Sequence, residues 1–241
     1  MAPRIDGERP GPGLAARVAA RYGLKVEECR ASADPAQSVA GAVLLDHGAT
    51  RDDIMAALGG TAFHTIERDS AGGAEGDWQG VPVCDHGLYL SLTTRTAFGA
   101  QCAVLVCDAL AARGVLTQER RSAVELCLHE AVANAVVHGN LEIASSAKDR
   151  PDGYRVFSQL VGERMRDPVL GNRRTDIFAR WRGAVLVIAV SDQGNGFDTA
   201  ILPPDAGGTA RSGRGFIFMR ALAQDVTVTD GGRCTALRFE L

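Results

Sequence analysis

Leu126-Cys127-Leu128-His129-Glu130-Ala131-Val132-Ala133-Asn134-Ala135-Val136-Val137-His138-Gly139-Asn140-Leu141 is the stretch around which the chain is organised. Its spacing predicts a helix. Leu126, Val132, Val136 and Val137 supply apolar contacts, and alanines fill between them. Glu130, Asn134 and His138 recur every four residues, so a regular helix sets them along one side. Two readings of that stripe are open. It is an exposed polar face, or it is a site with a base at Glu130 and an oxygen ligand for a hard cation at Asn134.

Downstream, Thr175 to Trp181 and Ala184 to Ser191 read as two strands joined at Arg182-Gly183. The second, Ala-Val-Leu-Val-Ile-Ala-Val-Ser, is apolar enough for a central strand and runs directly into Asp192-Gln193-Gly194-Asn195-Gly196-Phe197. An ionised carboxylate only accepts hydrogen bonds, so Asp192 suits an exocyclic amine such as that of adenine. Gly194 and Gly196 let a flat ring approach the backbone. Arg211-Ser212-Gly213-Arg214-Gly215 then precedes a helix predicted over Phe216 to Ala223, and backbone N–H groups at a helix start favour phosphate oxygens. The chain closes with two short strands, Val226 to Thr229 and Cys234 to Phe239, joined by Asp230-Gly231-Gly232. Each glycine motif alone is an ordinary turn; the order in which they follow one another carries the weight.

That order resembles the histidine-kinase-like ATPase superfamily, the fold shared by sensor kinases, type II topoisomerases and MutL. Within it the chain is most similar to anti-sigma-factor serine kinases of the RsbW and SpoIIAB type. The resemblance rests on Glu130 to Gly139, Asp192 to Asp198 and Gly213 to Met219, and covers about Gly87 to Leu241. It implies a two-layer α/β sandwich of the Bergerat type, with helices on one face of a mixed sheet. It implies ATP and Mg²⁺ as ligands. Asn134 would ligate the metal, Glu130 would be the general base, and Asp192 would bind the adenine amino group. Gly194 and Gly196 would shape the adenine pocket. Gly213, Arg214 and Gly215 would pass near the phosphates under a mobile lid, and Thr235 would back the adenine. His138 is read as packing, because one imidazole without a partner makes a poor metal site. His129 lacks the helix-pair context of a phospho-accepting histidine.

The implied function is a regulatory serine/threonine kinase that phosphorylates a STAS-like anti-anti-sigma protein, which competes for it with a sigma factor. A homodimer is expected from the same resemblance. Two alternatives stay open: a nucleotide-gated binding module that moves no phosphate, and the catalytic domain of a histidine kinase system.

The rest of the chain frames this reading. Its 241 residues are 46% hydrophobic and 23% charged, with a net charge of −3, so a sizeable core is expected and a general pull toward nucleic acid or anionic membrane is not. No apolar run reaches membrane-spanning length, the first residues lack a signal-peptide core, and a cytoplasmic location is expected. Six scattered cysteines without a Cys-x-x-Cys pair read as buried reduced thiols.

Residues 1–12 read as a loose tail, residues 13–68 as a small α/β appendage, and residues 69–80 as a glycine-rich linker before an ATPase domain over 81–241. The appendage shows a helix over Leu14 to Tyr22, strands over Leu24 to Cys29, Gly41 to Leu45 and Thr61 to Ile66, and a helix over Arg51 to Leu58. Its Ala42-Val43-Leu44-Leu45-Asp46 resembles the phospho-acceptor strand of a receiver domain, without the acidic pair that holds magnesium there. A strand over Leu88 to Thr93 and a helix over Phe98 to Arg113 precede a helix start at Thr117. Residues 142–174 form an insert with a helix from Tyr154 to Arg166. It is rich in arginine (Arg150, Arg155, Arg164, Arg166, Arg173 and Arg174), which reads as a solvated face or a docking surface for an acidic partner or phosphate.

Overall fold

The computed structural model of the protein describes residues 42–60, 62–73, 86–148, 152–197 and 214–241. The helix and strand expected before Gly41 lie outside the described residues. Among the described residues seven strands form one mixed sheet: β1 (Val43–Leu45), β2 (His64–Glu67), β3 (Gly87–Thr93), β4 (Arg174–Arg182), β5 (Val185–Ser191), β6 (Asp225–Thr229) and β7 (Cys234–Glu240), in the order β1-β2-β3-β4-β5-β7-β6. The first three run parallel and the rest pair antiparallel. Helices α1 (Arg51–Leu58), α2 (Thr94–Gly99), α3 (Cys102–Ala112), α4 (Gln118–Ala133), α5 (Gly153–Arg166) and α6 (Arg214–Leu222) complete the described architecture. This is the α/β sandwich expected from the sequence.

The sandwich follows from strand alternation. Leu88, Leu90 and Leu92 of β3 stand in register with Ala179, Ile177 and Thr175 of β4. Ile188 and Val190 of β5 continue that face to Leu237 and Thr235 of β7. Against it lie Leu105, Val106 and Leu110 of α3 and Val124, Cys127, Leu128 and Ala131 of α4, all buried. The α4 set recurs at helical spacing, which is why this helix presents one stripe to the sheet. Cys102, Cys107 and Cys127 are free and buried, as expected for reduced thiols, and Cys234 is buried too. Burial pushes the first two up to about 12 and Cys127 to about 11, so they behave as small apolar side chains.

Two elements differ from the sequence expectation. The helix predicted from Phe98 is two helices, broken where Gln101 takes a left-handed φ of 56°. Thr117 holds the extended N-cap conformation before α4, and its side chain makes no capping hydrogen bond.

β1, α1 and β2 belong to the segment read as an appendage, and they extend the same sheet. The joint is polar. Glu67, fully buried, accepts from Gly48 N (2.8 Å), Thr96 Oγ1 (2.6 Å) and Thr93 N (2.7 Å). Thr50 and Asp53 form a capping box at the start of α1. Asp46 is exposed at the end of β1.

The insert docks onto α2. Arg95 donates to the carbonyls of Met165 (2.7 Å) and Asp167 (3.1 Å), satisfying acceptors at the α5 C-terminus. Two of the insert arginines are held inside the fold, Arg173 by Glu142 at 2.7 Å and Arg174 by burial, whereas Arg155 pairs with Asp152 at 3.1 Å on the exposed surface.

If the N-terminal strands are part of one cooperative sheet, weakening their joint lowers the stability of the whole. Glu67→Gln sets an amide N–H against one of three donors and is expected to cost about 1–3 kcal/mol. Urea unfolding followed by circular dichroism should show one transition at a lower midpoint with an unchanged slope. A new early transition would show instead that β1 and β2 unfold on their own.

Candidate functional site

The site is built at the end of α4. The helix keeps α geometry to Ala133 and then widens into a π turn over Asn134–Asn140. Leu141 N bonds Val136 O at 2.9 Å, a five-residue spacing. Glu130 and Asn134 stay half-buried one turn apart, while His138 is exposed, with Nδ1 2.6 Å from the carbonyl of Ile143. His138 is therefore tied to the chain that leaves the helix.

Glu130 faces the start of α6. A Cβ placed on Gly215 would lie 2.6 Å from Glu130 Oε2, so the glycine makes room for the carboxylate. Arg214 opens α6, and Gly213 lies outside the described residues.

Further along, the end of the π turn meets the strap that follows β5. Asp192 is 8% exposed, and its Oδ1 accepts from Gly194 N at 2.8 Å. A Cβ on Gly139 would come within 2.5 Å of Asp192 Oδ1, and a Cβ on Gly194 would overlap the Gly139 carbonyl. The hairpin closing the chain braces the strap from behind. Asp192 N donates to Arg233 O (3.0 Å), and Phe197 N donates to Gly231 O (3.1 Å). Gly196 sits at a φ of 68° against the Gly231 carbonyl, a conformation and a closeness that glycine alone accepts. Thr235 is buried on β7 opposite Val190, two residues before Asp192.

Burial raises the Asp192 carboxyl to about 6, against the Gly194 N–H and the nearby Arg233 and Arg173 charges, which favour the ionised form. Near neutral pH the group is ionised inside the protein. With Gly194 on one oxygen, the carboxylate keeps acceptor capacity for an amino group.

The structure thus sets Gly215 against Glu130, Gly139 against Asp192 and Gly194, and Gly196 against Gly231, with Asn134 one turn after Glu130 and Thr235 paired with Val190. It adds four residues that sequence reasoning did not assign to the site: Gly139, Asn140, Gln193 and Gly231. Gly139 reads as a helix stop, where glycine ordinarily supplies a positive φ. Here its φ is not among the positive ones, and the missing side chain is what matters. Only a three-dimensional neighbour reveals that. Among the described residues, no group of three or more His, Cys, Asp or Glu gathers into a metal site. Asn134 as a lone oxygen donor fits Mg²⁺, which keeps most of its coordination for water and phosphate.

A family model described as the histidine kinase-like ATPase domain matches residues 100–240, more than half of the chain. No curated protein matches it. Among the described residues no helix is long and apolar enough to cross a membrane.

The buried carboxylate makes a prediction about the nucleotide-free protein. Its folded pKa of about 6 lies above the ordinary 3.8, so its contribution to stability is full below about pH 4 and lost as pH rises to 6. Asp192→Asn removes that loss. By thermal unfolding the variant should exceed the wild type by about 1–3 kcal/mol above pH 6, with the gap closing toward pH 4. A gap independent of pH would contradict the assignment.

Proposed function

This chain belongs to the histidine kinase-like ATPase family, and on that premise we propose that it is a regulatory serine/threonine protein kinase of the anti-sigma-factor type. The observation that carries the reading is the layout of one helix. Glu130 meets Gly215 at the start of α6, Asn134 lies one turn further along the same helix, and Gly139, nine residues after Glu130, meets Asp192. At helical rise these ends stand about 13 Å apart, a span suited to an extended nucleoside triphosphate.

In this reading Asp192 accepts the adenine amino group, and Gly139, Gly194 and Gly196 leave the backbone open to the ring. Thr235 backs the base. Asn134 would hold Mg²⁺, which supplies charge neutralisation on the phosphates when bound. Glu130 lies beside Gly215 in the first turn of α6, where the backbone N–H groups of Arg214 and Gly215 would receive phosphate oxygens. The Glu130 carboxylate takes the proton from an acceptor hydroxyl as its oxygen bonds to the terminal phosphorus of ATP and ADP leaves. The hydroxyl belongs to a serine or threonine of a STAS-like anti-anti-sigma protein. That protein in its unphosphorylated form competes with a sigma factor for this kinase, which acts as a homodimer.

Incubation of the protein with radiolabelled ATP, Mg²⁺ and a cognate STAS protein is expected to give an acid-stable phosphoprotein. Glu130→Ala should lower that rate by about 100-fold or more while ATP still binds. An acid-labile product would assign the domain to a histidine kinase system. Sigma-factor control that survives Glu130→Ala unchanged would assign it to a nucleotide-gated binding module.

A further inference from the structure

A closed ring of hydrogen bonds lies beside the adenine-facing carboxylate. The Asn140 side chain, fully buried, donates from Nδ2 to Arg174 O at 3.0 Å and to Thr175 Oγ1 at 3.0 Å. Arg174 N donates to Gln193 Oε1 at 2.8 Å. Gln193 N donates to Asn140 Oδ1 at 2.8 Å. Only one orientation of the Asn140 carboxamide suits these partners, because its oxygen must face an N–H and its nitrogen a carbonyl. The ring joins the end of the π turn, the first residue of β4 and the strap residue next to Asp192.

Both neighbours of the Asp192 carboxylate are thereby fixed. Gly139, which abuts it, precedes Asn140; Gln193, which follows it, is bonded to Asn140. The Arg174 guanidinium in turn donates to Ser91 Oγ (3.0 Å), Ser91 O (2.8 Å) and Glu67 O (2.8 Å), which anchors the ring to β2 and β3.

We infer that Asn140 and Gln193 are positioning residues for base recognition, setting the Asp192 carboxylate where it discriminates adenine from guanine. The inference rests on the proposed nucleotide site. Adenine offers an amino donor where guanine offers a carbonyl acceptor, so a fixed carboxylate favours the first and repels the second, while a carboxylate free to swing does so less.

The two carboxamides play unequal parts, which gives a test that general loss of stability does not mimic. Asn140 uses both its donor and its acceptor; the Gln193 side chain is needed only as an acceptor. The measurement is affinity for ATP and for GTP, each with Mg²⁺, by calorimetric titration of the full chain and three variants. Asn140→Asp and Gln193→Ala are expected to lower the ATP-to-GTP affinity ratio by about 10-fold or more. Gln193→Glu, which keeps the acceptor for Arg174 N, should hold the wild-type ratio. Gln193 is exposed, so its variants report even where Asn140→Asp fails to fold. An unchanged ratio in Gln193→Ala overturns the inference and leaves the nucleotide site standing. A wild type that binds neither nucleotide overturns both.

Discussion

The structure depends on one close approach, the end of the α4 helix against the strap after β5. Gly139 and Gly194 touch backbone to backbone, and the Asp192 carboxylate fills the space where a Gly139 side chain would be. Burial of that carboxylate near the contact opposes folding, as its raised titration shows. The surroundings hold it in place regardless. The β5–β7 pairing continues into the Asp192 N to Arg233 O bond, the Gly231 carbonyl receives Phe197 N, and the Asn140–Arg174–Gln193 ring closes the other side. A buried, incompletely partnered acceptor held by a rigid frame is a preorganised binding group.

The same contact explains the π turn. In a regular helix Gly139, nine residues after Glu130, would face the side opposite Glu130. Widening the turn over Asn134–Asn140 re-aims the helix end toward the strap while the Glu130 side stays toward α6. In the proposed function one helix thus serves both ends of an elongated ligand. The N-terminal strands bear on this frame from the other direction: Glu67 and Ser91 hold the Arg174 side chain, and Arg174 supplies backbone partners to both Asn140 and Gln193. The sheet formed by β1 to β3 therefore supports the site rather than hanging beside it.

Much of this was legible in the residues. The apolar alternation of β3, β4, β5 and β7 and the stripe of α4 read directly, because burial on one face imposes those periods. Glu130, Asn134 and Asp192 stood out as polar groups delivered by apolar elements. What was not legible is whatever depends on distant neighbours. The break at Gln101 rests on a left-handed backbone at a residue with no turn signature. Gly139 and Asn140 look like an ordinary helix stop, and their meaning lies 53 residues away at Gln193. The arginines of the insert resemble a solvated face by composition, yet Arg174 is buried and Arg173 pairs with Glu142, since only the folded chain supplies their acceptors.

The central claim is that Asp192 reads a nucleotide base from inside this frame. Calorimetric titration of ATP with Mg²⁺ into the wild type and into Asp192→Asn tests it most directly. The account predicts saturable binding to the wild type and a loss of about 100-fold or more in the variant, which sets a donor or a neutral acceptor against the adenine amino group. Equal affinity in the two proteins would contradict it.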